Sequence, residues 1–304
     1  MRLGAAISAL LAAGLLTAVA GHAAPAAPTP VVTGPDDENR VTAGWSRGGT
    51  REYVAFTRRI LRTDRRNALL RVIRPNGAFR TMRLNLRRRV LYVESHGGSS
   101  DLRVYDIPTG RRSVPAGVNT AKHEWLPTRS GRSLLFNRDD RGGPGTRVVL
   151  RDVATGVETV LDRSAVFDSW VYAGQVSGRW AVWTRCADTC DVYKRDLASG
   201  VTDVVPKPGG DPGVRQYDGS VTADGTVYVA RHAGSGACEA VIELVRFAAD
   251  DPPEGTVIAQ FDPGRFTTLT YARRNPGRTV DLFFPRATCS TFEHDAFKVR
   301  VPPP

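Results

Sequence analysis

Apolar residues alternate with polar residues, or run together for five to six positions, along most of this chain. Four such runs follow a similar turn and line up well: "SGRSLLFNR" (130–138), "SGRWAVWTR" (177–185), "ADGTVYVAR" (223–231) and "PGRTVDLFF" (276–284). Half-buried and buried β-strands produce these patterns, whereas amphipathic helices show a 3.6-residue period. Because no such period persists beyond the N-terminal segment, the pattern predicts an all-β protein.

A short turn motif follows several of these runs. "LRVYDIPTG" (102–110), "VVLRDVATG" (148–156) and "VYKRDLASG" (192–200) share an Asp, two spacers, a Thr or Ser, and a Gly. The Asp carboxylate can accept hydrogen bonds from backbone N–H groups inside a tight turn, and the Gly can adopt a positive φ. Each copy is therefore predicted to join two antiparallel strands as a hairpin.

The turns return at a nearly constant spacing. The steps from Gly110 to Gly156, Gly200 and Gly255 are 46, 44 and 55 residues. About four strands fit in each step, which corresponds to one blade of a β-propeller. A sandwich of two sheets is the alternative, but it would not require a fixed period. The sequence predicts a six-bladed β-propeller.

Two irregularities concern the ends of the predicted ring. Only about 12 residues separate Gly77 from the strand "VLYVES" (90–95), so one strand is predicted to be missing or shared and one blade to be incomplete. The last strand, "HDAFKVRV" (294–301), precedes only prolines, so the last blade lacks an outer strand. We expect the N-terminal strand to replace it, with Val31 and Val32 pairing with residues 296–300, because this closes the ring and removes a sheet edge.

The stretch "EWLPTRSGRSLLFNRDDRGGPGTRVVLRDVATG" (124–156) resembles the repeat of the TolB-like, WD-repeat-like β-propeller family. The match extends over roughly residues 85–260, and the Asp-Gly of the family's turn is kept at 224–225. The resemblance implies propeller architecture rather than an activity. The chain is expected to be a secreted bacterial member without the α/β domain of TolB and without a peptidase domain.

The N-terminal segment has the composition of an export signal. Arg2 precedes an uncharged apolar run over residues 3–20, and small residues then offer cleavage points. We predict a signal peptide over 1–24, a flexible terminus with the closing strand over 25–40, and the propeller over 41–304. A permanent membrane anchor is the alternative. The predicted location is secreted or extracytoplasmic, in the cell envelope.

The four cysteines occupy one predicted face of the propeller. Strands A to D of a blade run outward from the axis, so B–C hairpins and D–A links share a face, here called the B–C face. Cys186 and Cys190 bracket one B–C tip, and Cys238 and Cys289 lie at matching tips of successive blades. We predict the disulfides Cys186–Cys190 and Cys238–Cys289. Metal binding by the thiols is the alternative, which export disfavours.

The starts of the innermost strands are predicted to surround the axial mouth on the same face. They carry histidine, carboxylates and aromatic side chains, which could line a ligand site; ordinary polar rim residues are the alternative. The predicted ligand-binding residues are His123, Glu124, Asp168, Trp170, Gln216, Tyr217 and Asp218.

The sequence assigns no catalytic residue. It lacks a Gly-x-Ser-x-Gly motif, and the Ser, His and Asp of "ESHGGSSD" (94–101) crowd one hairpin, whereas the members of a triad converge in space. His96, His232 and His294 are expected in B–C loops, and no two histidines have a metal-ligand spacing. No metal or cofactor is predicted.

Positive charge is concentrated in one segment. Between Arg51 and Arg89 there are thirteen arginines and two acidic residues, a net +11 that equals the formal charge of the whole chain. Such a patch favours an anionic partner, with solvated outer strands as the alternative. The predicted polyanion patch consists of Arg58, Arg59, Arg62, Arg65, Arg66, Arg87, Arg88 and Arg89.

The sequence as a whole predicts a secreted, monomeric binding or scaffold module. It would recognise a protein or an envelope polymer on the B–C face and at the axial mouth. Two alternatives remain open: a lyase or hydrolase acting on sugars or lactones through His123 at the axial channel, and an envelope protein that binds polyanions. Nucleic acid is not an expected partner because no nucleic-acid motif is present, and no membrane span is expected after signal cleavage.

Overall fold

The structure of the protein is a computed structural model. It describes residues 29–30, 42–45, 52–55, 60–63, 69–73, 82–85, 89–96, 99–106, 108–139, 145–164, 169–211, 213–233, 238–267, 271–275, 279–289 and 294–302. Within these ranges the secondary structure is β-strand apart from one short 3-10 helix (Pro208–Gly210), so the all-β prediction is confirmed. None of the described helical structure is long and apolar enough to span a membrane. The predicted signal peptide lies outside the described residues.

The described strands, numbered in chain order, pair in six antiparallel sheets. Sheet one contains β2 (Thr42–Trp45), β3 (Glu52–Ala55), β4 (Ile60–Thr63) and β5 (Leu69–Ile73). Sheet two contains β6 (Met82–Asn85), β7 (Arg89–His96), β8 (Ser99–Asp106) and β9 (Arg112–Ser113). Sheet three contains β10 (His123–Ser130), β11 (Ser133–Asp139), β12 (Thr146–Asp152) and β13 (Glu158–Arg163).

The remaining three sheets follow in the same way. Sheet four contains β14 (Trp170–Ser177), β15 (Trp180–Cys186), β16 (Cys190–Asp196) and β17 (Thr202–Val204). Sheet five contains β18 (Val214–Val221), β19 (Val227–Ala233), β20 (Val241–Phe247) and β21 (Thr256–Phe261). Sheet six contains β22 (Arg265–Thr267), β23 (Tyr271–Arg274), β24 (Val280–Thr288), β25 (His294–Val301) and the N-terminal β1 (Thr29–Pro30).

In sheets three to six, the strand next to the innermost strand is buried on both faces; these strands are β11, β15, β19 and β24. In β11 five successive residues are buried, whereas the outer strand β13 is mostly exposed. Leu135 of sheet three packs in one apolar cluster with Val171 of sheet four, and Val192 of sheet four packs with Val229 of sheet five. The sheets therefore stack face to face, and sheets three to six can be interpreted as four blades of a β-propeller.

The innermost strands of successive sheets lie side by side. This holds for β6 with β10, β10 with β14, β14 with β18 and β18 with β23, and β2 lies beside both β6 and β23. The expectation of a missing or shared strand between the first two sheets is wrong. The four-residue strand β6 fits within the short interval, so sheets one and two have four strands each.

The N-terminal strand β1 pairs with the last strand, β25. Thr29 lies opposite Lys298 and Pro30 opposite Phe297. β1 thus occupies the outer position of sheet six, next to a strand that would otherwise be an edge. The predicted partners Val31 and Val32 lie outside the described residues.

The repeated turn motif has the predicted chemistry. The carboxylate of Asp152 accepts hydrogen bonds from the backbone N–H groups of Ala154 and Thr155, and Gly156 has a φ of +78°. The preceding Gly-Arg turn contacts the same carboxylate, since a guanidinium nitrogen of Arg132 lies 2.8 Å from it. Arg179 and Asp196 form the equivalent pair in sheet four, also at 2.8 Å. The two recurring elements therefore bind each other within each of these sheets.

A bulge in β14 brings one polar side chain into contact with the innermost strand of sheet six. The pairing register shifts at Gly174 and Gln175 in β14, and a Cβ added to Gly174 would clash with the carbonyl oxygen of Gly219. Gln175 is 4% exposed, and its amide nitrogen donates to the carbonyl oxygen of Ala272 at 3.0 Å while its amide oxygen accepts from the Ala272 N–H at 3.3 Å. Because β14 and β23 are separated by sheet five, Gln175 bridges innermost strands that are not neighbours.

Both predicted disulfides are confirmed. Cys186–Cys190 closes the hairpin tip between β15 and β16, and Cys238–Cys289 joins the B–C loops of sheets five and six. In a chain-entropy estimate the larger ring contributes about 4 kcal/mol and the smaller ring about 2 kcal/mol.

A charged row crosses sheet six. Asp281 of β24 is completely buried between Arg273 and Arg300, which donate to its carboxylate at 2.7 and 2.8 Å. Burial alone would raise the pKa of Asp281, but the hydrogen bond from Arg300 and the positive charges of Arg273 and Lys298 outweigh it, so the pKa is lowered. The ionised carboxylate is therefore the stable form in the fold.

Replacing Gln175 by alanine should lower the free energy of unfolding by about 2 kcal/mol, because backbone polar groups of Ala272 then lose buried partners. Chemical denaturation of the purified protein measures the change. The matched control is Gln260→Ala, since Gln260 is exposed in β21 and its loss should cost less than about 0.5 kcal/mol. Equal effects of the two substitutions would contradict the bridging role.

The charged row of sheet six should make stability depend on acid pH. Since the folded-state pKa of Asp281 is lowered, its contribution is present above the unfolded value of about 3.9 and is lost as pH falls through the folded value. Asp281→Asn should therefore cost about 3 kcal/mol at pH 7, and the gap from the unsubstituted protein should shrink towards pH 3. Denaturation at a series of pH values tests this, and a gap that stays constant would refute it.

Candidate functional site

A cavity of about 440 Å³ opens on the B–C face between the starts of β14 and β18. Its wall on one side is the disulfide-closed tip at 186–190, and the rest consists of Thr184 of β15 and residues from β14 and β18. The volume lies within the range of small-molecule sites. We call this cavity the Trp170 groove.

Cross-strand pairing sets the wall that sheet four contributes. Trp170 lies opposite Cys186, and Cys186 lies opposite Cys190, so the indole adjoins the disulfide. Two residues further along, Tyr172 lies opposite Thr184 on the same face of the sheet. The wall from sheet four thus contains Trp170 next to the disulfide and, two residues further along, Tyr172 next to Thr184.

The aromatic side chains differ in exposure. Trp170 is 52% exposed, and it is the one exposed aromatic residue among those whose side chains the structure describes. Tyr172 is half-buried and packs edge-on against Trp125, with ring centroids 5.8 Å apart. Trp170 therefore presents a large apolar face to solvent at the lip of the groove. The packing of the fold does not require this exposed face.

Sheet five contributes Arg215, Tyr217 and Asp218. Tyr217 packs edge-on against His232, with ring centroids 4.9 Å apart. Asp218 lies in a bulge of β18 and has a φ of +48°, a left-handed conformation that is unusual for a residue other than glycine. Leu126 has nearly the same φ, +47°, in the bulge of β10, so this distortion recurs on the innermost strands.

His232 supports the groove from behind. The expectation that it lies in a B–C loop is wrong, because it is inside β19 and only 2% exposed, with Nε2 3.1 Å from the Thr267 carbonyl oxygen. Burial is the main cause that lowers the pKa of His232; the charge of Arg215 lowers it further, and the hydrogen bond to Thr267 opposes both. The imidazole is therefore uncharged at neutral pH.

His96 and His294 lie at the ends of β7 and β25 that adjoin B–C loops.

Three of the seven predicted ligand-binding residues, Trp170, Tyr217 and Asp218, line the same cavity. Glu124 lies elsewhere: it is completely buried, 2.9 Å from Nε of Arg138. Gln216 is also completely buried, and its amide nitrogen donates to the Pro206 carbonyl oxygen at 2.7 Å.

The other two predicted residues are separate again. Nδ1 of His123 accepts a hydrogen bond from the backbone N–H of Ser100 in sheet two at 3.1 Å, and His123 does not line the groove. Asp168 lies outside the described residues. Of the predicted ligand-binding residues that the structure describes, those that line a common cavity thus lie between sheets four and five.

Tyr172, Thr184 and Arg215 line the groove but were not predicted as site residues. The period of two along a strand could have identified two of them, because Tyr172 follows Trp170 and Arg215 precedes Tyr217 at that interval. Thr184 gives no local signal, since its place depends on the pairing register of β14 and β15.

The predicted polyanion patch remains a prediction. Arg62 and Arg89 lie in β4 and β7, and the other six arginines of the patch are outside the described residues. In the described part of the chain, no three His, Cys, Asp or Glu residues form a cluster that could hold a metal ion.

A larger cavity, of about 680 Å³, also adjoins sheets four and five but lies beside the A–B and C–D turns of sheet five. Two of its four carboxylates already have partners, since Asp224 pairs with Arg274 at 3.1 Å and Asp251 with Arg246 at 2.7 Å. None of the predicted ligand-binding residues line it. We therefore take the smaller Trp170 groove as the candidate site.

The sequence matches no protein-family model and no curated protein. The structure is similar to a putative TolB from Agrobacterium tumefaciens, with a TM-score of 0.56 and 9% identity, covering 87% of this chain and 91% of that chain. It is similar to a gluconolactonase from Xanthomonas campestris, with a TM-score of 0.54 and 11% identity, covering 93% and 98%. It is also similar to an oligogalacturonate lyase from Vibrio parahaemolyticus, with a TM-score of 0.50 and 10% identity, covering 83% and 75%. At these identities the likeness concerns the fold alone, and the fold is a TolB-like β-propeller.

Proposed function

We propose that this protein is an exported β-propeller that binds an envelope ligand in the Trp170 groove. The observation that carries the proposal is the exposed indole of Trp170 at the lip of a cavity of about 440 Å³. Arg215 and Asp218 add polar groups to the same cavity, a combination of apolar lining and few polar contacts that small-molecule and polymer sites share. The disulfide at the tip holds one wall in place.

The proposal includes six blades, with sheets one and two as the first two. The side-by-side arrangement of innermost strands, from β2 to β6 and from β23 back to β2, supports a closed ring of six. Two disulfides fit an oxidising compartment outside the cytoplasm, in agreement with the proposed export through residues 1–24.

No observation favours the enzyme alternative or the polyanion alternative over ligand binding. His123 is hydrogen-bonded to the backbone of sheet two and lies away from the groove. Six of the eight arginines of the predicted patch lie outside the described residues.

Co-sedimentation of the purified protein with washed bacterial cell envelopes tests the proposed function. Trp170→Ala should lower the affinity about thirtyfold, the effect of removing an aromatic anchor from a binding site. The control is Val157→Ala, which changes a 63% exposed apolar side chain on sheet three and should leave binding unchanged. Envelopes that fail to retain the unsubstituted protein, or retain both variants equally, would exclude this function.

A further inference from the structure

We propose that the ligand of the Trp170 groove is a carbohydrate. This inference rests on the proposed function and names the chemical class of its ligand. It is carried by three features of the groove: an exposed indole, a buried hydroxyl group without a partner, and charged side chains of both signs.

The exposed indole offers a flat apolar surface. A sugar ring has an apolar face of C–H groups and a rim of hydroxyl groups, so it can cover an aromatic ring while its rim remains in polar contact. The half-exposed Trp170 stands at the lip of the groove, with Tyr172 and Tyr217 further along the walls. Such a site removes apolar surface from water when a ring stacks on Trp170.

In the lining of the groove, the hydroxyl of Thr184 is the one buried side-chain group that lacks a hydrogen-bond partner among the described residues. Thr184 lines the groove and is 1% exposed, and its Oγ1 has no hydrogen-bond partner among the described residues. A buried hydroxyl without a partner is destabilising, so folded proteins rarely keep one without a reason. A ligand hydroxyl could both accept from this group and donate to it.

The charged side chains suit a neutral polyol better than an ion. Arg215 brings one positive charge, and Asp188 and Asp218 bring two negative charges, so the groove has no strong excess of either sign. The guanidinium supplies donors, and the carboxylates supply acceptors. A polyanion would meet the two carboxylates, and a cationic peptide would meet Arg215.

The experiment uses delipidated envelope material in three forms: untreated, exhaustively digested with protease, and deglycosylated with anhydrous trifluoromethanesulfonic acid, which cleaves glycosidic bonds and spares peptide bonds. Binding of the unsubstituted protein and of Trp170→Ala is measured on each form. We expect the protease-treated material to bind as well as the untreated material. We expect the deglycosylated material to lose the binding that depends on Trp170.

Two further variants examine the groove itself. Trp170→Phe keeps an aromatic platform and should retain most of the affinity that Trp170→Ala loses. Thr184→Val keeps the shape of the buried side chain but removes the hydroxyl, so the fold should remain at least as stable while affinity falls about three- to tenfold. An unchanged affinity in Thr184→Val would overturn the assignment of this hydroxyl to the ligand.

The outcomes separate the inference from the function on which it rests. Binding that depends on Trp170 but survives deglycosylation, or disappears after protease treatment, would overturn the carbohydrate assignment and leave the groove as a site for a peptide. If the unsubstituted protein does not bind untreated envelopes, or if Trp170→Ala binds them equally well, the proposed function itself would be overturned.

Discussion

The structure depends on one packing constraint: strands β11, β15, β19 and β24 of sheets three to six are buried on both faces, so each of these sheets needs a cover on both sides. In sheet three, Leu134 and Leu135 are adjacent in β11 and point to opposite faces, yet both are almost completely buried. A sandwich covers only one face of each sheet. Sheets stacked in a ring cover both, because each has a neighbour on either side, and this explains why the turns recur at a period of one blade.

The propeller arrangement brings the innermost strands close together. The bulges in β10, β14 and β18 relieve the crowding that results. Gly174 lies too close to the neighbouring backbone for a side chain, and the bulge at that point directs Gln175 to the backbone of Ala272. This contact links strands on either side of sheet five. The Gln175 contact thus occupies part of the axial region at that level, and the Trp170 groove lies at the strand ends on the B–C face.

The sequence predicted features that depend on local chemistry. The Asp-x-x-Thr-Gly turns follow from the hydrogen-bonding capacity of Asp152 and the positive φ of Gly156, and the disulfides follow from cysteines at equivalent hairpin tips. Pro127 and the glycines at 174 and 219 mark the bulges within apolar runs, a signal that could have been used.

Features that depend on register were harder to predict. Gln216 and Tyr217 are adjacent in the sequence, but only Tyr217 lines the groove, because successive residues of a strand point to opposite faces. Glu124 similarly points into an ion-pair network with Arg138. Thr184 could not be found from the sequence, since its position beside Tyr172 is set by the pairing of β14 with β15.

A crystal structure of the protein with an oligosaccharide released from protease-digested envelopes would test the central claim most directly. The account predicts a sugar ring stacked on the indole of Trp170, with a ligand hydroxyl within hydrogen-bond distance of Thr184 Oγ1. Sugar density at another place, such as the cavity beside Lys194 on the opposite face, with the Trp170 groove empty, would contradict it.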